Sequence, residues 1–455
     1  MRCARAGRGA AASGARAAAS RRVRALLRVL VLFLVLPLAT PSALAATGPG
    51  AIAERIRAES GVEFIDLAVT SADGPCTRAH YSDPVPRLHA GSLSELLTAV
   101  VVLQLVEAGR VDLHDPLGRH LPAFEGSLIT VADLLAHRSG LRDPQGPRER
   151  RTQQAADAYF AALARQQPRS PGEPHTDRRP DYHHASANYN LLGRLIESLE
   201  AQPFPAVMQA RLLDPLGMFD SSFAVDAIPE AAQVQGWQRR WGRLVAGLPP
   251  ADRAFAPSLG LQTTATDLAR FARAVLAAAE GLDDDVIAPR TIRRMTPPSM
   301  TNPDHEDAGG MEGLQGLEGR DGIERGVGWQ LAATELGPQW LAGSAADGFG
   351  NLLTVYPQRG FAVVVMGNRT DWPRLELERA LREQVVANGV CGPLVPASTQ
   401  TPTQTPARIF TRTLMQTLTQ ALTQTHTQTH TQTPGQDARM YSGPGDDSDA
   451  ERGIP

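Results

Sequence analysis

Lysine is absent from the 455-residue chain, and all 45 of its Lys-plus-Arg positions are arginine. Any mechanism in which a lysine amine takes a proton from a serine is therefore excluded. The lysine-free, alanine- and arginine-rich usage reads most simply as GC-biased coding, and no function attaches to it. Cysteine is scarce too: Cys3, Cys76 and Cys391 are the full set. No cysteine follows the N-terminal apolar run, so a lipid-modified amino terminus is not expected. A formal net charge of −3 supplies no overall basic field, which argues against a nucleic-acid partner.

What is present divides into three segments. Residues 1–45 carry Arg2, Arg5, Arg8, Arg16, Arg21, Arg22 and Arg24 ahead of an apolar run that ends near Ala39 and meets Ala43-Leu44-Ala45. This is the pattern of a cleaved signal peptide, because the run is well short of the ~20 residues of a membrane helix. The mature chain is expected to be periplasmic or secreted, with no membrane span. Cleavage removes Cys3 and leaves Cys76 and Cys391, either joined in an oxidising compartment or held as two separate thiols.

Residues 395–455 are rich in Thr, Gln and Pro and end in Asp446, Asp447, Asp449 and Glu451. That composition builds no core. His426 and His430 in this tail read as solvated repeat residues, since nothing fixes their geometry. No cofactor and no metal site is expected anywhere in the chain.

Between them, 46–394 has the apolar content for a folded domain; the whole chain is 42% hydrophobic. The pattern predicts a helix over 51–59, strands near Val62–Thr70 and Cys76–Ser82, and closing strands near Gly326–Ala332, Asn351–Tyr356 and Phe361–Gly367. A last helix follows over 373–388. The middle, 92–325, reads as mostly helical with long loops at 142–153, 167–186 and 300–325. The fold class is α+β: an antiparallel sheet flanked by terminal helices, with an inserted helical lobe.

Several stretches in combination carry a resemblance. They are LLTAVVVLQLVEAGRVDLHDPLGRHLP from Leu96, ITVADLLAHRSGL ending at Leu141, NYNLLGRLIE from Asn188, LLDPLGMFDSSF ending at Phe223, GLQTTATDLARFARAVL from Gly260 and DGFGNLLTVYPQRGFAVVVMGNR from Asp347. In order and spacing the chain resembles the serine beta-lactamase and penicillin-binding-protein superfamily, in particular the class C beta-lactamase-like branch with its D,D-carboxypeptidases, esterases and aminopeptidases. Most of these stretches have a structural job. His137-Arg138-Ser139-Gly140 reads as a helix end with Gly140 as C-cap, and His137 as structural.

The resemblance implies three catalytic motifs, and each is altered here. Ser-x-x-Lys, which supplies nucleophile and proton-taking amine, becomes Ser92 and Glu95. Tyr-x-Asn becomes His184 and Ser186, with Tyr182 two residues away. The Lys/His-Thr-Gly strand motif becomes Ala342, Gly343 and Ser344, all three at substrate-binding positions with Ser186. Backbone donors at Ser92 and near Ser344 or Ala345 would not depend on the lost side chains.

Two readings of Ser92 stay open. With Glu95 three residues on, it is a capping box, the hydroxyl accepting from the Glu95 N–H and the carboxylate from the Ser92 N–H. Alternatively Ser92, His184 and Glu95 form a replacement triad of nucleophile, base and orienting acid. An anion in place of the lysine disfavours penicillin-like acids unless Arg138 or Arg325 compensates, and favours a neutral ester, an amide or a peptide segment. The leading expectation is a catalytically degenerate protein whose cleft binds or scaffolds in the cell envelope, with an envelope protein as partner. The alternatives are an esterase or peptidase with rebuilt chemistry and a protein that acts through its tail.

Overall fold

The run FAVVVMG at 361–367 is apolar at every position, as a strand buried on both faces must be. In the computed structural model it is a central strand of seven in one antiparallel sheet: β1 Ile65–Ser71, β2 Gly74–His80, β3 Glu324–Arg325, β4 Gln330–Thr334, β5 Gly337–Ala346, β6 Phe349–Tyr356 and β7 Phe361–Gly367. Their order across the sheet is β2-β1-β7-β6-β5-β4-β3. The structure describes residues 49–80, 86–144, 153–166, 182–224, 232–247, 254–282, 285–296 and 324–388. Residues 1–45 with the expected signal peptide, the tail with His426 and His430, Cys391 and the Cys76 side chain lie outside the described residues, as does most of the three long loops.

Alternation along the strands sorts the core into two layers. Leu67, Val69, Leu352, Val363 and Val365 face one way and pack with Ala53 and Ile56 of α1 (Pro49–Ser60) and with Leu377, Leu381 and Val385 of the last described helix. Ala68, Leu353, Val355, Ala362, Val364 and Met366 face the other way, onto the inserted lobe. At the centre of that lobe runs α2 (Leu93–Glu107), apolar nearly all round and buried at Leu93, Leu96, Leu97, Val100, Val101, Leu103 and Leu105. Around it lie α3 (Val131–Leu135), α4 (Ser186–Glu200) and α5 (Ala265–Ala279), and α6 (Arg374–Asn388) closes the chain against α1 and β7.

The α+β class and the sheet flanked by terminal helices agree with the sequence. The closing strands number five rather than three, since β3 and β5 are also present. β5 escapes a pattern reading because its site half, Ala342-Gly343-Ser344-Ala345-Ala346, has no β-branched or aromatic residue. β4 pairs with Gly337–Leu341 only. Ala342–Ala346 is thus paired by β6 alone among the described strands, and its other edge faces the start of α2.

Candidate functional site

The start of α2 is set by Gly91, whose φ of +58° belongs to the left-handed region. A Cβ there would collide with the Ser344 Oγ, so the glycine is what lets β5 approach. Ser92 follows with φ −62° and ψ −8°, already helical. An N-cap needs the extended region to turn its hydroxyl onto the first amides, and the Ser92 side chain caps nothing. Its own N–H donates to the Ser344 Oγ at 3.1 Å. The expected capping box at Ser92 and Glu95 does not form.

Glu95 turns elsewhere. Its Oε2 lies 3.4 Å from His137 Nε2 and 3.4 Å from His184 Nε2. Its Oε1 is buried without a hydrogen-bond partner among the described residues. The two imidazoles lie against each other with ring centroids 4.6 Å apart, and the Tyr189 ring, from α4, sits 5.0 Å from that of His137. Glu95 and His137 are buried, while His184 keeps 19% of its side chain exposed.

Each member is placed by a different element. Glu95 is on the first turn of α2. His137 ends α3: the His137 N–H donates to Leu134 O and the Arg138 N–H to Asp133 O, a Schellman pair whose left-handed residue is His137 itself, φ +53°. Gly140 is also left-handed, but it lies beyond the stop: the helix is capped at Ala136, and the left-handed residue that follows the cap is His137, not Gly140. A non-glycine residue at this φ costs roughly 1–2 kcal/mol, and here, as at Ala201 after α4, it sits at a helix stop. Its Nδ1 faces the Ala185 N–H at 3.4 Å and Asn188 Nδ2 at 3.1 Å.

His184 precedes α4, whose N-terminal Ala185 offers no capping side chain. The missing cap comes from Asp143, which accepts from the Ser186 N–H at 3.0 Å and the Ala187 N–H at 2.8 Å. Ser186 is buried there. Tyr182 lies 5.7 Å edge-on from His137, and the Arg325 guanidinium sits 4.1 Å over the Tyr182 ring. Arg325 therefore stands beside the cluster.

Electrostatics follow from these neighbours. Burial pushes the Glu95 carboxyl up, but His184 and His137 outweigh it and hold it down at about 2. Burial pushes His184 down, and Glu95 more than offsets this, so its pKa is raised. Burial keeps His137 below the ordinary histidine value despite Glu95. The carboxylate is thus ionised, and of the two imidazoles His184 holds its proton more firmly than His137. Burial raises Tyr182 to about 12, with Arg325 opposing, so its phenol stays protonated and is a poor base.

The structure brings Glu95 and His184 together and sets Ser92 against Ser344. Ala342 and Gly343 lie on the same strand and are buried, and Ser186 is tied to Asp143 at a helix start. Sequence reasoning missed the part of His137, which is 42 positions from Glu95 by residue number and has no motif linking the two. It also missed Asp143. The one available signal for His137 was that it must pack near the start of α2 if HRSG closes α3.

A family model described as Beta-lactamase matches residues 83–388. Penicillin-binding protein 4 of Amycolatopsis lactamdurans is 26% identical over 293 residues, 61% of this chain and 71% of that protein. Protein flp of Staphylococcus aureus (strain NCTC 8325 / PS 47) is 24% identical over 196 residues, 41% of this chain, and the match spans only 38% of flp. Among solved structures, the octameric penicillin-binding protein homologue from Pyrococcus abyssi aligns over 74% of this chain and 77% of its own, with a TM-score of 0.59 and 19% identity.

Proposed function

The chain belongs to the beta-lactamase family, and we propose that it is a member that has given up serine acyl transfer and uses its cleft to bind. The observation that carries this is the contact between the Ser92 N–H and the Ser344 Oγ. In an acylating site that amide would point at the developing oxyanion. Here it is engaged by the chain's own hydroxyl, and the residue at the lysine position is an anion bound between two imidazoles. Losing a general base alone removes roughly 10² to 10⁴ in rate, and a blocked oxyanion donor removes a further ~10² to 10³.

The binding role is placed in the cell envelope, exported by the N-terminal signal. A neutral ester, an amide or a peptide segment suits a cleft with Glu95 at the lysine position, and Arg325, stacked on Tyr182 beside the cluster, offers a cation for a ligand carboxylate. Hydrolysis of neutral p-nitrophenyl esters and of a penicillin by the full chain tests the reading. Rates equal to those of Ser92→Ala are expected; a rate that falls at least tenfold in Ser92→Ala would sink it.

A second reading, hydrolysis through Ser92, His184 and Glu95, is favoured by the 3.4 Å approach of His184 to Glu95. It requires His184 to reach Ser92 through its other nitrogen. The Ser92 hydroxyl makes no hydrogen bond to His184.

A further inference from the structure

The geometry points to a binding site for one zinc ion formed by Glu95, His137 and His184. The three ligand atoms, one carboxylate oxygen and two imidazole Nε2, all lie within 4.8 Å of one another. The distances stand at the long end of hydrogen bonding. Charge-assisted N–H···O⁻ bonds run about 2.7–2.9 Å, whereas both Nε2 atoms stand 3.4 Å from Oε2. Ligands on a tetrahedron with bonds of about 2.0–2.2 Å are separated by roughly 3.3–3.6 Å. In an octahedron with the same bonds the adjacent separation falls to about 2.8–3.1 Å. The two separations to Oε2 match tetrahedral edges, the Nε2–Nε2 edge lies within 4.8 Å and closes toward them when an ion binds, and two imidazoles with one carboxylate are a zinc donor set.

Independent support comes from Glu95 Oε1, a carboxylate oxygen buried without a partner. Leaving such an atom unpaired is costly, and a cation beside the carboxylate compensates it. Second, the rings are already oriented: His137 is fixed at its Nδ1 side by Ala185 and Asn188 and on its face by Tyr189. Both groups donate toward Nδ1 as they stand, so coordination through Nε2, which leaves the His137 proton on Nδ1, requires that shell to rearrange. His184 alone of the three reaches solvent, so an exchangeable fourth ligand enters on its side.

The site returns positive charge to the pocket where the family carries lysine, but the inference does not depend on the loss of acylation and is tested apart from it. The test uses the full mature chain without an affinity tag, stripped with a chelator and re-equilibrated with zinc or cobalt(II). Because His426 and His430 offer tail ligands, the parent for comparison is His426→Ala/His430→Ala. The parent is expected to retain one zinc per chain, to give the intense visible bands of tetrahedral cobalt(II), and to melt at higher temperature with zinc. Glu95→Gln and His184→Ala are each expected to weaken binding by more than ~100-fold, beyond the 10–100-fold of outer partners. Circular dichroism of the variants separates site loss from unfolding, and His137→Asn, tolerant of the left-handed backbone, supplies a third ligand deletion that keeps the turn. Absence of stoichiometric zinc in the parent, octahedral cobalt spectra, or unchanged affinity in any of the three folded variants would overturn the site.

Discussion

Three described helix starts carry a hydroxyl residue with an acidic residue three positions on, those of α2, α3 and α5, and the first two behave in opposite ways. At α3, Thr130 is extended, φ −96° and ψ 164°, its Oγ1 accepts from the Asp133 N–H at 3.2 Å, and Asp133 Oδ2 accepts from the Thr130 N–H at 2.9 Å. Both arms of a capping box are present. At α2, Ser92 is helical, its N–H goes to Ser344 and Glu95 goes to two histidines. The backbone before the helix makes the difference: left-handed Gly91 starts the turn one residue early and holds Ser92 where its hydroxyl cannot reach back. A local motif is read correctly only where the preceding residue leaves the cap extended.

The comparison breaks hardest at Glu95. Replacing it with Ala leaves two imidazoles without their shared acceptor, and a cost of about 3 kcal/mol in denaturant unfolding is expected, at the lower edge of buried-pair losses because His184 is partly exposed. Glu95→Lys, which rewrites the ancestral pattern, should cost at least as much and should not restore hydrolysis, since the cation would face His184. Recovery of Ser92-dependent esterase activity in Glu95→Lys would show that the lysine position alone had been lost.

Next in size is Thr130→Ala, which removes a formed box and should cost about 1 kcal/mol by the same measurement. Ser344→Gly deletes one hydrogen bond and should cost about 0.5–1.5 kcal/mol while freeing the Ser92 amide; labelling of Ser92 by a reactive phosphonate should then be faster than in the unaltered chain, and an unchanged rate would remove Ser344 as the block. The smallest effect is Ser92→Ala, below about 0.5 kcal/mol because no cap is lost. A loss near that of Thr130→Ala would mean that the two helix starts are alike after all.

How much was legible follows the same lines. β1 and β7 could be read because their apolar runs are long and bounded by turn residues, and α2 because nothing polar interrupts it between Val100 and Leu103. β5 could not, because strand formation there rests on pairing with β6 and not on its own small residues. Ser92, Glu95, His184 and Ser344 were found by position in the motifs. Their partners were not, since the His137 and Asn188 contacts, and the Asp143 cap of α4, are made by tertiary packing across gaps that no periodicity spans. The sign of the Glu95 change was plain from sequence; that two histidines would share its carboxylate was not.

The most direct measurement is the intact mass of the full chain after prolonged exposure to a serine-directed fluorophosphonate, with Ser92→Ala alongside. An unmodified mass for both proteins is the expected result, because the Ser92 hydroxyl has no base within hydrogen-bond contact among the described residues and its amide is engaged by Ser344. A stoichiometric adduct that maps to Ser92 and vanishes in Ser92→Ala would contradict the account and make the serine a working nucleophile.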